Sequence, residues 1–264
     1  MADDIPQSHP RYRSLLARRL LTEAAADGLL AESALIAHGR GEAFDYLLGE
    51  RTIASARQAI NESAARLLTA ESPVLSVNGN TVALAADQML SCAAVLDCPI
   101  EVNIYYRTPE RMIALLKRLG ERRQAVTQSR PPDGWSEGDD AWKAAVNAVP
   151  ILGDNADGRI PGLEGPRAAC SSDGIIQADV VFVPLEDGDR CEALIAAGKQ
   201  VIVVDLNPLS RTAHTATVTI VDELTRVLEE LLPLLLAGGN SPDKDWNNDA
   251  ILQDAVDEIR SGTA

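Results

Sequence analysis

Val180-Val181-Phe182-Val183-Pro184-Leu185-Glu186-Asp187-Gly188-Asp189-Arg190 and Val201-Ile202-Val203-Val204-Asp205-Leu206-Asn207-Pro208-Leu209-Ser210-Arg211-Thr212 decide the fold class of this chain. In each, an apolar β-branched run stops at a polar loop, the pattern of a parallel strand buried on both faces. Ligands of open α/β sheets bind where such strands end. The first loop offers carboxylates and one guanidinium. The second offers Asp205, Asn207, Ser210, Arg211 and Thr212, a mixture suited to ribose hydroxyls, phosphates and a metal. The two runs together read as a nucleotide site at the edge of an α/β sheet.

The same rhythm extends in both directions. An alanine-rich helical stretch over 53–70 gives way at Pro73 to a buried strand, Val74-Leu75-Ser76-Val77. Asn78-Gly79-Asn80 then makes a tight turn, and Thr81-Val82-Ala83-Leu84 opens the next helix, so the turn is a helix N-terminus able to hold an anion. Residues 100–106 read as a strand, Arg107 and Thr108 as a loop, and Pro109 as the start of a helix reaching Leu119. Downstream, 178–183, 201–205 and 217–221 read as strands, with helices over 191–197 and 222–237. Alternating strands and helices predict an α/β, Rossmann-like fold with a mainly parallel sheet flanked by helices. Ahead of it stands an N-terminal helical segment, residues 10–27, with Leu15, Leu16, Leu20 and Leu21 on one side and Arg11, Arg18 and Arg19 contributing charge. Residues 128–157 break the rhythm and read as a surface insertion with a short helix at 140–148. Residues 238–264 read as an acidic peripheral tail, a helix plus a loose terminus. The whole chain, 1–264, fits one α/β domain.

Composition narrows the partners. Of 264 residues 46% are hydrophobic, enough for a real core, and the formal net charge of −15 is spread along the chain. Such a surface repels nucleic acid and anionic membrane. Four lysines stand against twenty arginines, and only 3% of residues are aromatic, a combination that suggests adaptation to high salt. There, charge repulsion is screened to within about 3 Å at 1 M. The four cysteines, Cys92, Cys98, Cys170 and Cys191, form no CxxC pair and read as reduced residues of a cytoplasmic protein. Met1-Ala2-Asp3-Asp4 lacks the basic and apolar regions of a signal peptide, and no apolar run is long enough to span a bilayer.

Three polar groupings carry chemistry. His38-Gly39-Arg40-Gly41-Glu42, in a Gly-rich segment running to Tyr46, is the densest polar cluster of the N-terminal half: the glycines would let a phosphate approach the backbone, Arg40 could clamp it, and His38 could donate a hydrogen bond or transfer a proton. A plain turn with a satisfied histidine is the simple alternative. No Gly-Lys-Ser/Thr follows, so it is not a Walker A loop, and no GxGxxG follows a strand, which disfavours a dinucleotide cofactor. Asn78 and Asn80 could hold a carboxylate or hydroxyl, or could merely cap the helix. Glu186, Asp187 and Asp189 could hold Mg²⁺, although acid clusters in so acidic a chain are often plain surface; the metal ligands stay open at this level. Lys199 could touch phosphate or be a solvated loop residue.

Seven motifs in one order go further: Ser8-His9-Pro10-Arg11-Tyr12, Gly39-Arg40-Gly41-Glu42-Ala43-Phe44-Asp45-Tyr46, Ser76-Val77-Asn78-Gly79-Asn80, Tyr106-Arg107-Thr108, Arg159-Ile160-Pro161-Gly162-Leu163-Glu164, the loop from Val183 to Arg190 and the loop from Val204 to Arg211. Together they resemble the archaeal phosphopantothenate synthetase family, also called 4-phosphopantoate–beta-alanine ligase, from about Ser8 to Leu235. The resemblance implies an ATP-dependent condensation of 4-phosphopantoate with β-alanine to 4'-phosphopantothenate, releasing AMP and pyrophosphate on the archaeal route to coenzyme A. It also implies a homodimer; the chemistry read from the residues adds Mg²⁺ bridging the phosphate oxygens of ATP. The ATP contacts it implies fall on Arg18, Arg40, Asp205-Leu206-Asn207, Arg211-Thr212 and Glu223-Leu224, with Glu223 standing where relatives carry asparagine. His38, Asn78, Asn80 and Arg107 are the candidates for the phosphopantoate pocket, beside Arg40 on the phosphates. The insertion at 128–157 and the acidic tail stand out as departures from the family pattern. The rival from another class is a non-catalytic sensor that binds a nucleotide or phosphometabolite through the same loops.

Overall fold

A computed structural model describes residues 5–239 and 241–262, so Met1 to Asp4 and the last two residues of the expected loose terminus lie outside the described residues. Six strands form one parallel sheet: β1 (Pro73–Val77), β2 (Ile100–Val102), β3 (Ile151–Leu152), β6 (Val180–Phe182), β7 (Gln200–Val204) and β8 (Val218–Ile220). Their spatial order is β3-β2-β1-β6-β7-β8. Within the sheet's own sequence this is 3-2-1-4-5-6, the doubly wound Rossmann order. The order reverses between β1 and β6, where Leu75 stands opposite Phe182. A separate antiparallel pair, β4 (Gly158–Arg159) and β5 (Ala169–Cys170), lies in the connection between β3 and β6.

Nearly every residue of the central strands is buried, which the β-branched runs require of a sheet covered on both faces. The larger core joins α1 (Tyr12–Ala26), α3 (Ala54–Thr69), α4 (Gly79–Leu96), α5 (Pro109–Gln128), α6 (Asp139–Ala148) and α9 (Leu224–Ala237) to one face. A smaller cluster around Val181, Cys191, Leu194 and Val203 seats α7 (Gly188–Ala196) on the other. At the carboxyl edge of the strands, side chains stop each new helix: Asn78 caps α4, Asp187 caps α7, Ser210 caps the short α8 (Arg211–Thr215) and Glu223 caps α9. Cap oxygens satisfy N–H groups that a helix start leaves unpaired. Polar loop residues are therefore part of the fold's own hydrogen bonding.

Four expectations need correction. Residues 38–46 are not a glycine-rich turn but lie within α2 (Glu32–Leu47), whose buried Asp45 is held by Arg226 of α9; a glycine costs a helix about 1 kcal/mol, which does not by itself forbid one. The β2 strand ends at Val102 rather than running to Tyr106, and α5 continues to Gln128. On α1, Leu21 and Ala24 are the buried pair, while Leu15 and Leu16 are only half-buried. Finally, 128–157 is no surface decoration. Trp142 and Val146 are buried, 1% and 0% exposed, and β3 supplies one edge of the sheet. The acidic tail likewise holds α10 (Asn248–Ser261), which buries Ile251, Leu252 and Ala255. The side-chain Oδ1 of its Asn248 accepts the Thr219 N–H of β8 at 2.7 Å.

Candidate functional site

A cleft of about 790 Å³ opens at the carboxyl edge of the sheet, over the reversal between β1 and β6. The loops that flank the reversal build it: Asn78, Gly79 and Asn80 follow β1, and Leu185, Glu186 and Asp187 follow β6. The β7 loop contributes Asp205, Leu206, Asn207, Ser210 and Thr212, and α2 brings Ser33, Ala37, His38, Arg40 and Gly41 across the top. Tyr105, Tyr106 and Arg111 close the β2 end.

The turn after β1 is tightly determined. Asn78 Oδ1 accepts the Thr81 N–H at 3.1 Å, while its Nδ2 donates to the Pro184 and Leu185 carbonyls at 3.3 and 3.1 Å. It thereby ties β1 to Leu185, whose φ of 58° lies in the left-handed region that a bulky side chain rarely occupies. Gly79 is required: a Cβ there would stand 2.7 Å from the Leu29 carbonyl oxygen and 2.6 Å from Leu30 Cδ2. Gly79→Ala is expected to cost about 1–3 kcal/mol by forcing the 29–30 segment outward, and to weaken ligand binding in the cleft. Chemical denaturation with and without ligand checks both.

Charges beneath the cleft are organised as ion pairs. Glu186, with a fully buried side chain, is held by Arg190 and by Arg167 at 2.7 Å. Arg190, itself 0% exposed, also donates to Ser76 Oγ on β1 at 3.0 Å. Arg167 turns in addition to Asp187 and, through Nε, to Asn103 Oδ1 at 3.1 Å. Burial would raise the Asp187 carboxyl, but Arg167 and the Arg190 N–H hold it below the usual carboxylate range. Asp189 pairs with Arg211 on the outside. These three carboxylates are thus engaged by arginines, and among the described residues no group of three or more His, Cys, Asp and Glu side chains could hold a metal. A protein-held Mg²⁺ does not fit this donor set.

At the other end, Asp205 accepts from the Asn207 N–H at 2.9 Å and from Ser210 Oγ. Desolvation pushes its carboxyl up, against those hydrogen bonds. His38, half-buried in the wall, has its pKa lowered chiefly by desolvation, although Glu42 and Glu223 pull the other way.

Of the residues expected from the sequence, the cleft gathers His38, Arg40, Asn78, Asn80, Asp205, Leu206, Asn207 and Thr212. It does not gather the rest. Arg18 lies in a second hollow of about 470 Å³ beside Arg11, paired with Glu42. Arg107 donates to the Gly153 carbonyl and approaches Met112 Sδ at 3.5 Å. Arg211 is exposed and paired, Glu223 caps α9, and Leu224 is buried in the core. Lys199 donates to the Ile176 and Ala178 carbonyls at 2.8 and 2.7 Å. Sequence reasoning missed Arg111, Arg167 and the Tyr105–Tyr106 pair, which come from helix α5, the connection before β5 and the loop after β2. Only the Tyr-Tyr-Arg run after a strand signalled any of them.

Similarity to known proteins bears on this cleft directly. The model of the phosphopantothenate/pantothenate synthetase family matches residues 55–134 and 140–262. The chain belongs to that family. It is 45% identical over 230 residues to the 4-phosphopantoate–beta-alanine ligase of Thermococcus onnurineus, covering 87% of this chain and 79% of the relative. The protein of the same name from Methanosarcina mazei is 42% identical over 272 aligned positions, covering 97% and 94%. That of Methanospirillum hungatei is 44% identical, covering 86% and 83%. The match to the synthetase family resumes at 140 and runs to 262, so α6, β3 and α10 belong to the family's fold and are not additions to it.

Proposed function

We propose that this protein is a 4-phosphopantoate–β-alanine ligase, driven by ATP and forming 4'-phosphopantothenate for coenzyme A synthesis. The carrying observation is one cleft at the sheet's reversal, bounded by Asp205 and Asn207 at one end and by Arg111 at the other, in a chain 42–45% identical to proteins named for that reaction. A carboxylate resists attack by an amine and must first be activated. The 4-phosphopantoate carboxylate attacks the α-phosphorus of ATP and pyrophosphate leaves. The β-alanine amine then attacks the acyl carbon of the resulting acyl-adenylate, and AMP leaves. Asp205 and Asn207 bind the nucleotide, and Arg40 neutralises charge on the phosphates. Asn78 and Asn80 orient the acid, and neutral His38 accepts the proton that β-alanine's ammonium must lose. Mg²⁺ enters as the counter-ion of ATP, part of the substrate. Holding the reactants together accounts for much of the acceleration, up to about 7–11 kcal/mol.

The experiment is AMP and pyrophosphate formation in molar KCl with ATP, Mg²⁺, 4-phosphopantoate and β-alanine, each omitted in turn. Product that needs all four supports the ligase. Tight ATP binding without product indicates a sensor. A His38 role makes a further prediction: because burial depresses its pKa, the neutral imidazole persists above a midpoint below the usual value of about 6.5. The acid limb of kcat/KM is expected below that pH, and absent in His38→Gln. Any stability His38 contributes follows the same sign, present above the unfolded value and lost as pH falls through the folded one.

The chain acts as one α/β domain, as a homodimer in the cytoplasm. No described helix is long and apolar enough to cross a membrane. The net charge of −15 with only four lysines supports salt adaptation. The thermal midpoint is expected to rise as KCl goes from low to molar concentration; a midpoint indifferent to KCl contradicts that reading.

A further inference from the structure

Two cations in the cleft have no counter-charge: Arg40, exposed at the rim, and Arg111, held inside the wall. Arg111, in the first turn of α5, is half-buried in the wall; Nη1 donates to the Tyr106 carbonyl at 2.7 Å and Nη2 to the Leu29 carbonyl at 3.4 Å. Its Nε is buried with no hydrogen-bond partner. No carboxylate pairs with it among the described residues, in a chain holding 39 Asp and Glu. Arg167, Arg190 and Arg226 are by contrast each neutralised by carboxylates. Desolvation without compensation lowers the Arg111 pKa. A guanidinium held by neutral carbonyls, with one N–H on each terminal nitrogen unspent, is a receptor for an anion that arrives from solution.

The surroundings specify which anion. Leu30, Ala34 and Ile104 make the wall beside Arg111 apolar, and the N-terminus of α4 opens next to them at Gly79 and Asn80. Phosphopantoate carries a quaternary dimethyl carbon adjacent to its phosphorylated CH₂, so an apolar wall next to a guanidinium matches that end of the molecule. A phosphate offers three oxygens and about −1.5 to −2 charge, more than the β-alanine carboxylate brings to the same two donors. We propose that Arg111 is the residue that reads the 4-phosphate, and so decides whether this family member accepts phosphopantoate or unphosphorylated pantoate. The proposal rests on the ligase reading above.

The test compares wild type, Arg111→Gln and Arg111→Lys in kcat/KM for 4-phosphopantoate and for pantoate, with KM for β-alanine measured alongside. Arg111→Gln is expected to lower kcat/KM for 4-phosphopantoate by about 10- to 100-fold and to leave pantoate and the β-alanine KM unchanged, with Arg111→Lys in between. Equal losses on both acids overturn the proposal, as does a raised β-alanine KM with an unchanged preference. Should wild type form no product, the ligase reading fails by itself. Calorimetric titration of 4-phosphopantoate and pantoate into wild type and variants then decides the inference: selective loss of the phosphorylated ligand supports it, and undiminished binding overturns it. Circular dichroism checks folding, and if Arg111→Gln does not fold, Arg111→Lys keeps the charge, loses the planar fork and carries the same comparison.

Discussion

Arg190→Met is expected to destabilise the protein by about 3–5 kcal/mol, the largest effect of any single substitution considered. The change leaves Glu186 buried with half its compensation gone and removes the donor to Ser76 that joins α7 to β1. Arg167 still holds Glu186 at 2.7 Å, which places the loss toward the lower end. A double variant, Arg190→Met with Glu186→Leu, removes both charges and should recover part of the loss, because an apolar pair of similar volume needs no counter-charge. Urea unfolding at fixed KCl measures both. A double variant no more stable than the single one means that the cost lies in packing or in Arg167 left without Glu186.

Arg40→Ala is expected to lower kcat by about 10²–10³-fold, the usual consequence of deleting one stabiliser of developing charge, while leaving the unfolding midpoint unchanged. Arg40 is exposed on α2 at the rim of the cleft, and among the described residues no ion pair or hydrogen bond engages it. Its removal therefore takes nothing from the fold. Pre-steady-state pyrophosphate release separates activation from amide formation. A drop confined to the KM for ATP would make Arg40 a ground-state contact, and a normal rate would remove it from the chemistry.

How legible this was depends on the distance over which each signal acts. Strands β1, β6 and β7 were legible because burial on both faces writes itself as an uninterrupted apolar run. So were the polar loops after them, since a parallel sheet puts its functional groups at those ends. The helix over 38–46 was not, because Gly39 and Gly41 are weak helix formers, and the ion pair that fixes this helix, Asp45 with Arg226, joins residues 181 positions apart. Trp142 misled in the same way. Proline and acidic residues around it signalled surface, yet its ring packs edge-on against Trp135 at 5.3 Å and is buried. Within the cleft, Asp205, Asn207, Asn78 and Arg40 were legible from position, and Arg111 and Arg167 were not. Their roles depend on which carboxylates lie nearby in space, and sequence spacing says nothing of that.

The tail has a consequence beyond the core it covers. An open sheet ends in strands whose outer N–H and carbonyl groups invite a further strand, the usual route to fibrous aggregation. Here β3 is only two residues long, and on β8 the donor of Thr219 is already taken by Asn248. Neither margin offers a template of useful length. Where salt screens the repulsion between acidic surfaces, a side-chain amide that closes the sheet protects solubility in a way that net charge does not.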